Sequence, residues 1–295
     1  RGATEGYVRA ASKNKKLRIH CGTHYHPFYS EDGRRDQLRF FDHWLKDIDN
    51  GVMQEPPIKL AIRTGHGEYH FRHENEWPIA RTQWTKLHLD LSKPDGGIAG
   101  TLVKTKPPTA ASRTYPASTA SHGGHDAAAP AGISLVTPPL TEDTEITGPV
   151  AAQLWVSSTT EDMDLLLTLR NIDPDGKDVL EVGQQGQPVP VAKGWLRVSH
   201  RELDPDLSLP YRPYHKHLRR LWLKPNEIVE VQVEIWPTSM VFKKGHRIRL
   251  DIQPRDGIGS APYTHYPADY NVGDNAIYSG GDKESYLLVP IIPPK

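Results

Sequence analysis

The sequence predicts a mainly β chain, a β-sandwich or jelly roll over residues 57–295 behind a short α/β segment over 1–56. Three observations carry this. Several segments after residue 57 alternate apolar and polar residues with period two, the pattern of a strand with one buried face. The chain holds 26 prolines and 24 glycines, most of them between those segments, where turns are needed. Before residue 51 the reading is instead helix, strand, histidine-bearing turn, helix, the alternation of an α/β layer.

Residues 2–12, GATEGYVRAAS, read as the end of a helix. KLRIHCG (16–22) reads as a short strand bounded by lysines and a glycine, with His20 inside it and packed. The turn that follows brings His24 and His26. RRDQLRFFDHWLKDID (34–49) is the clearest helix, because Leu38, Phe41, Leu45 and Ile48 recur at three- and four-residue spacing on one face. Asp42 and Lys46 stand i,i+4 with the acid first, a helix-stabilising order. DNG at 49–51 places Gly51 to end the helix in the left-handed conformation. A lone parallel strand with one helix lacks the neighbours that such layers need, so partners are expected from elsewhere. The face of this segment that the sandwich leaves uncovered is expected to be apolar.

EPPIKLAIRTG and EYHFRHENEWP read as two strands around GHG at 65–67. TQWTKLHLDL (82–91) alternates cleanly, and Trp77 and Trp84 are expected to pack the joint between the two layers. Residues 92–132 are rich in Ser, Thr, Pro, Ala and Gly and read as a long surface excursion. From 133 the chain returns to strands: VAAQLWVSS, DLLLTLRNI closed by the turn DPDG (173–176), EIVEVQVEIWP and GHRIRLDIQP. In the third, Val229, Val231, Val233 and Ile235 oppose Glu230, Gln232 and Glu234. His246 and Arg247 open the fourth and read as structural. No internal repeat is evident.

With 37% hydrophobic and 24% charged residues the chain can bury a core. The 36 basic and 36 acidic residues balance, which gives no cue for nucleic acid or an anionic membrane. No run of 18 apolar residues marks a membrane span. The one cysteine, Cys21, excludes an intrachain disulfide, and with no apolar leader in RGATEGYVRAASKNKK the cytoplasm is weakly favoured. No initiator methionine is present, and the chain reads as starting inside a longer protein. His66, His70 and His73 are not read as a metal site, since His70 and His73 point to opposite faces of a strand. His122/His125 and His215/His217 lie in loops without the convergent ligands zinc wants. No metal or other cofactor is expected.

LRIHCGTHYH, RRDQLRFFDHWLKDIDNGVMQEPPIKL and ENEWP resemble the middle of the cocaine esterase-like (CocE/NonD) hydrolases, relatives of the Xaa-Pro dipeptidyl-peptidase-like serine hydrolases. LTEDTEITGPVAAQLWVSSTTEDMDLLLTLRNIDPDG, GWLRVSHRELDP and PTSMVFKKGHRIRLDI resemble the C-terminal domain of the same family. The resemblance covers nearly the whole chain and is weakest over 92–132. It implies that 1–56 is the last strand and helix of an α/β-hydrolase domain and that 57–295 is a galactose-binding-like jelly roll.

It also implies a Ser-His-Asp hydrolase of ester, amide or X-Pro peptide bonds. In such folds the triad runs Ser, Asp, His along the chain. Laying GTHYH on the family's GPWSH-like turn puts His26 on the catalytic histidine. Thr23 and His24 stand where the family has Pro-Trp, and His24 is the fallback candidate. No G-x-S-x-G elbow is present. The nearest look-alike, GIGSA at 257–261, follows a sandwich strand and is read as a loop. The serine and aspartate are therefore expected in a missing N-terminal α/β-hydrolase portion, in the same or a separate chain, and this chain alone is expected to be inactive. The substrate expected is a small ester or amide or a short peptide, and homo-oligomers are common in the family. A sandwich module that binds carbohydrate or another ligand without catalysis is the competing reading.

Overall fold

The computed structural model describes residues 1–94, 98–117, 132–256 and 271–294. Three helices lie near the N-terminus: α1 (Gly2–Arg9), the short α2 (His26–Tyr29) and α3 (Glu31–Lys46). The strands are β1 (Leu17–Ile19), β2 (Ile58–Gly65), β3 (Glu68–Glu74), β4 (Gln83–Asp90), β5 (Gly100–Val103), β6 (Ala111–Pro116), β7 (Ile133–Val136), β8 (Thr144–Ser158), β9 (Asp164–Ile172), β10 (Glu181–Val182), β11 (Pro188–Val189), β12 (Ala192–Arg197), β13 (Val229–Phe242), β14 (Arg247–Gln253), β15 (Asp274–Ser279) and β16 (Tyr286–Ile292). The result is the mainly β architecture expected, a β-sandwich. Its long central pair is β8 against β13, antiparallel from Val229↔Val156 to Phe242↔Thr144.

The period-two alternation in β13 survives folding. Val231, Val233 and Ile235 are buried and Glu230 is exposed, until a bulge between Ile235 and Thr238 breaks the register around Pro237. Proline cannot donate to a ladder, so a bulge is where a central strand tolerates it. These residues join Leu154, Leu165, Leu167, Leu169, Leu250 and Ile252 in one apolar core. The DPDG turn forms as expected, with the Gly176 N–H donating to Asp173 O at 3.0 Å and Gly176 at φ 81°.

Several expectations need correcting. The segment 92–132 is not only an excursion, because it carries β5 and β6, whose short runs its Ser/Thr/Pro composition hid. His122 and His125 and the GIGSA stretch lie outside the described residues. The main helix runs Glu31–Lys46 rather than 34–49. Ser30 caps it by accepting the Gly33 N–H at 3.1 Å, and Asp47 (φ 55°), not Gly51, takes the left-handed position at its end. Gly51 (φ 72°) instead opens a single 3-10 turn.

β1 has a partner inside this chain. It pairs in parallel with β2 in the register Leu17↔Ile58, Arg18↔Lys59, Ile19↔Leu60. This pairing crosses residue 56/57 and makes the N-terminal segment continuous with the sandwich sheet, with β1 at its end. A second, smaller core of Leu17, Ile58, Leu60, Ile62, Ile79 and Ile292 seals the junction, with Trp77 and Tyr7 against it. Trp77 thus packs the joint as expected. Trp84 does not: it stands at the surface and stacks on Tyr211 at 4.4 Å between ring centres.

Candidate functional site

α3 is docked on the sandwich by its charged side. Arg18 and Lys59 face each other across the β1–β2 register, a like-charge pair that is unfavourable by itself. Two aspartates of α3 resolve it. Asp32 Oδ2 accepts from Arg18 at 2.5 Å, Asp36 accepts from Arg18, and Lys59 reaches Asp36 at 3.0 Å. Phe71 of β3 lies under both cations, 5.1 Å from Arg18 and 4.6 Å from Lys59. Burial works to raise the Asp32 carboxyl, but the Arg18 and Lys59 bonds and charges outweigh it and hold it below its ordinary range. Asp42 and Lys46 close their i,i+4 pair at 2.7 Å.

The opposite face points away. Leu38, Phe41 and Leu45 of α3 are 57%, 54% and 76% exposed, and Ile48, just past its end, is 46% exposed. Trp44 and, on the adjoining turn, Tyr25, Phe28 and Tyr29 are exposed beside them in sequence. Single exposed apolar side chains are ordinary, but a helix that turns its whole apolar stripe outward marks an interaction surface.

The histidine turn sits between β1 and α3. Gly22 (φ 93°) redirects the chain after the strand. His20 falls just past the end of β1 and is exposed, not packed inside it, because the strand stops at Ile19. His26 is the first residue of α2 and is exposed, with buried Pro27 behind it. The short helix is fixed at its other end. Ser30 N–H donates to His26 O at 2.9 Å, Ser30 Oγ donates to Pro27 O at 2.9 Å, and Gln37 Nε2 donates to Phe28 O at 2.9 Å. Among the described residues neither a serine hydroxyl nor a carboxylate bonds the His26 ring. His24 is also exposed, edge-on to the Tyr25 ring at 4.6 Å. The structure therefore places the two histidine candidates together on one exposed turn and brings no nucleophile or acid to them.

That turn is tied to the sandwich by a contact the sequence reading missed. The N–H of His24 donates to Gln184 O at 2.8 Å, at the tip of the β10–β11 hairpin. The only sequence signal is the pair Gly183 and Gly186 bracketing Gln-Gln between short apolar runs. Beneath the turn lies a cavity of about 270 Å³ lined by Cys21, Arg63, Glu181 and Ser239, among others. Arg63 spans it, donating to Ser239 O and Val191 O at 3.0 Å and to Thr238. Burial raises Glu181 above its usual range, with the Arg63 charge opposing, and pushes the Cys21 thiol up to about 11.

A second cleft, of about 820 Å³, opens on the sandwich between Trp195, Trp236, Tyr214 and three histidines. His200 Nδ1 and His217 Nδ1 stand 3.0 Å apart, and the His215 ring lies 5.9 Å from that of His217. His215 and His217 were visible in sequence, but His200, 17 residues away, was not associated with them. Among the described residues no three His, Cys, Asp or Glu side chains are grouped to hold a metal ion.

The model of the X-Pro dipeptidyl-peptidase C-terminal non-catalytic domain matches residues 50–288. A protein of Mycobacterium bovis carrying a provisional serine-esterase name is 29% identical over 251 residues, 78% of this chain and 37% of that protein. The cocaine esterase of a Rhodococcus species is 26% identical over 290 residues, 86% of this chain and 45% of its own. A crystal structure of a CocE/NonD family hydrolase from Staphylococcus aureus superimposes with a TM-score of 0.89 at 29% identity, covering 99% of this chain and 51% of that one. The chain thus spans about half or less of the length of these relatives. It belongs to the CocE/NonD-like hydrolases and corresponds to their C-terminal portion, including the X-Pro dipeptidyl-peptidase C-terminal domain.

Proposed function

We propose that this chain is the C-terminal part of a serine hydrolase of ester, amide or X-Pro peptide bonds, and that His26 is its general base. The observation that carries the reading is the outward apolar stripe of α3 beside β1, which among the described residues pairs only with β2, with His26 between them. A strand edge and an apolar helix face at one place are what an α/β layer leaves when its remaining strands are removed. In this reading an N-terminal α/β portion, in the same or a separate chain, covers that surface and brings the serine and aspartate to His26.

A histidine at that position takes the proton from the serine hydroxyl as it attacks, then returns it to the leaving group. The aspartate holds the ring in the tautomer that leaves one nitrogen free to accept. His26 is suited to this by its exposure on a turn whose backbone is fixed at both ends, by Gln184 before it and Ser30 after it. His24 has its backbone committed to the hairpin and is the reserve candidate.

The test is an assay on 4-nitrophenyl esters and X-Pro nitroanilides. Residues 1–295 alone are expected to show no turnover. The full-length protein is expected to turn over and to lose roughly 10³-fold or more in kcat with His26→Ala, as loss of a triad base does. Turnover by residues 1–295 alone that His26→Ala abolishes would sink the need for a second portion. Wild-type turnover in the full-length His26→Ala protein would sink the assignment of the base.

A second reading, a sandwich that binds carbohydrate or another ligand, is favoured by the aromatic cleft at Trp195 and Trp236. It predicts calorimetric binding of oligosaccharide by residues 1–295, lost in Trp236→Ala. The serine-hydrolase reading requires no such binding.

A further inference from the structure

The β10–β11 hairpin holds its shape by its own bonds. Gly183 N–H donates to Gln187 O at 2.7 Å, Gly186 N–H to Gly183 O at 2.9 Å, and Gln185 N–H to the Gln187 side chain at 2.9 Å. Its base is set in the sandwich: Glu181 is buried, and Val182 closes against Gly67 of the β2–β3 turn. Its tip meets the histidine turn through the His24–Gln184 bond, and a Cβ built on Gly186 would stand 4.0 Å from the Thr23 methyl. His26 follows His24 by two residues, so their Cα atoms are at most about 7 Å apart. The tip is therefore within the span of a small substrate from His26.

Two features of this rim bear on what it would touch. Gln184 and Gln185 are both exposed, and among the described residues neither side-chain amide has a hydrogen-bond partner. Apart from its histidines, the rim formed by residues 20–26 and 182–190 contains no Asp, Glu, Lys or Arg. Free amides offer both a donor and an acceptor but no charge. They match a hydroxyl or carbonyl on a neutral substrate, and the charged groups nearest the rim, Arg63 and Glu181, lie in the cavity beneath it, where each opposes the other's charge.

We infer that the tip of the β10–β11 hairpin is the wall that the sandwich contributes to the reaction site, with Gln184 and Gln185 selecting neutral esters or amides that carry a hydroxyl or carbonyl beside the scissile group. This rests on His26 being the catalytic base. A site built to hydrogen-bond a substrate group discriminates against the analogue lacking it, because its polar groups are then left unpaired.

The experiment uses the full-length protein and three esters: 4-nitrophenyl pentanoate, 4-nitrophenyl 4-oxopentanoate and the 4-nitrophenyl monoester of succinate. The expected kcat/KM order places the oxo ester first, and Gln184→Ala/Gln185→Ala lowers its preference over the pentanoate ester about tenfold. An unchanged ratio, or an equal loss on both esters, overturns the hairpin's role, the latter because a structural element would act on both alike. Preference for the charged succinate ester, or no turnover of any ester by the wild type, overturns the substrate class. His26→Ala is run alongside. If it abolishes turnover while the glutamine ratio stays unchanged, the hairpin inference falls and the base assignment stands.

Discussion

Gly33 decides how closely the His26 turn can approach α3. A Cβ at that position would overlap the Pro27 carbonyl and come within 2.7 Å of the Phe28 carbonyl oxygen, both backbone atoms that cannot swing aside. Helix propensity alone favours alanine over glycine by about 1 kcal/mol. Overpacking against fixed backbone costs about 1–3 kcal/mol and works the other way. Gly33→Ala is therefore expected to lower the urea midpoint of the chain and, in the full-length protein, to reduce kcat by displacing α2. A variant as stable as the wild type would show that α2 is free to move off α3. In the sequence Gly33 stands just before the expected helix of 34–49, and only the longer α3, Glu31–Lys46, makes it a glycine inside a helix. What it accommodates is not legible, because the close approach depends on the Ser30 cap and on Pro27, which set where α2 lies.

The elements were read with uneven success, and the difference has a physical cause. β4 and β13 are long enough for their alternation to be counted, whereas β8, β9 and β14 were read as strands from apolar runs, and β9 is buried along almost its whole length. β5 has four residues, and β10 and β11 have two each, too few for a period to register. The α3 stripe was legible from spacing, and its outward direction followed from the lone strand beside it. The identity of the strand beside β1 was not, since β2 reads equally well as part of a hairpin with β3. The outward stripe makes a prediction for residues 1–295 alone. Phe41→Asp with Leu45→Asp changes stability by less than about 0.5 kcal/mol, as exposed substitutions do, and lowers both dye binding and self-association. The same pair in the full-length protein buries two charges against an apolar layer and is expected to destabilise it by several kcal/mol. A large loss of stability in residues 1–295 would mean that the stripe is already covered by this chain.

Across the molecule, several histidines held in the sandwich have their pKa values lowered, and acid stability is expected to depend on them. Burial is the leading cause for His88, where the Glu284 carboxylate 3.7 Å away opposes it without prevailing. Burial also leads for His215, with the neighbouring His217 acting in the same direction and backbone hydrogen bonds at Gln232, Arg201 and His200 opposing. It leads again for His246, which meets Asn171 Oδ1 at 2.9 Å. A histidine whose folded pKa lies below its unfolded value near 6.5 binds fewer protons when folded. Stability then rises with pH through that window and is fully present above about 6.5. On acidification it is lost from about pH 6.5 downward, as the unfolded chain gains protons that the folded one refuses. Asp178, Glu181 and Glu234, raised chiefly by burial, act in the opposite sense, favouring the fold as the pH drops below their folded values. The melting temperature of residues 1–295 is therefore expected to be flat above pH 7 and to decline between pH 6.5 and 5. His88→Gln and His215→Gln should each flatten that decline, since an amide in place of the ring has no proton to refuse. A decline between pH 6.5 and 5 that neither substitution alters would overturn the assignment to His88 and His215, because a carboxylate held low, such as Asp32 beside Arg18 and Lys59, loses its contribution only below the ordinary carboxylate range.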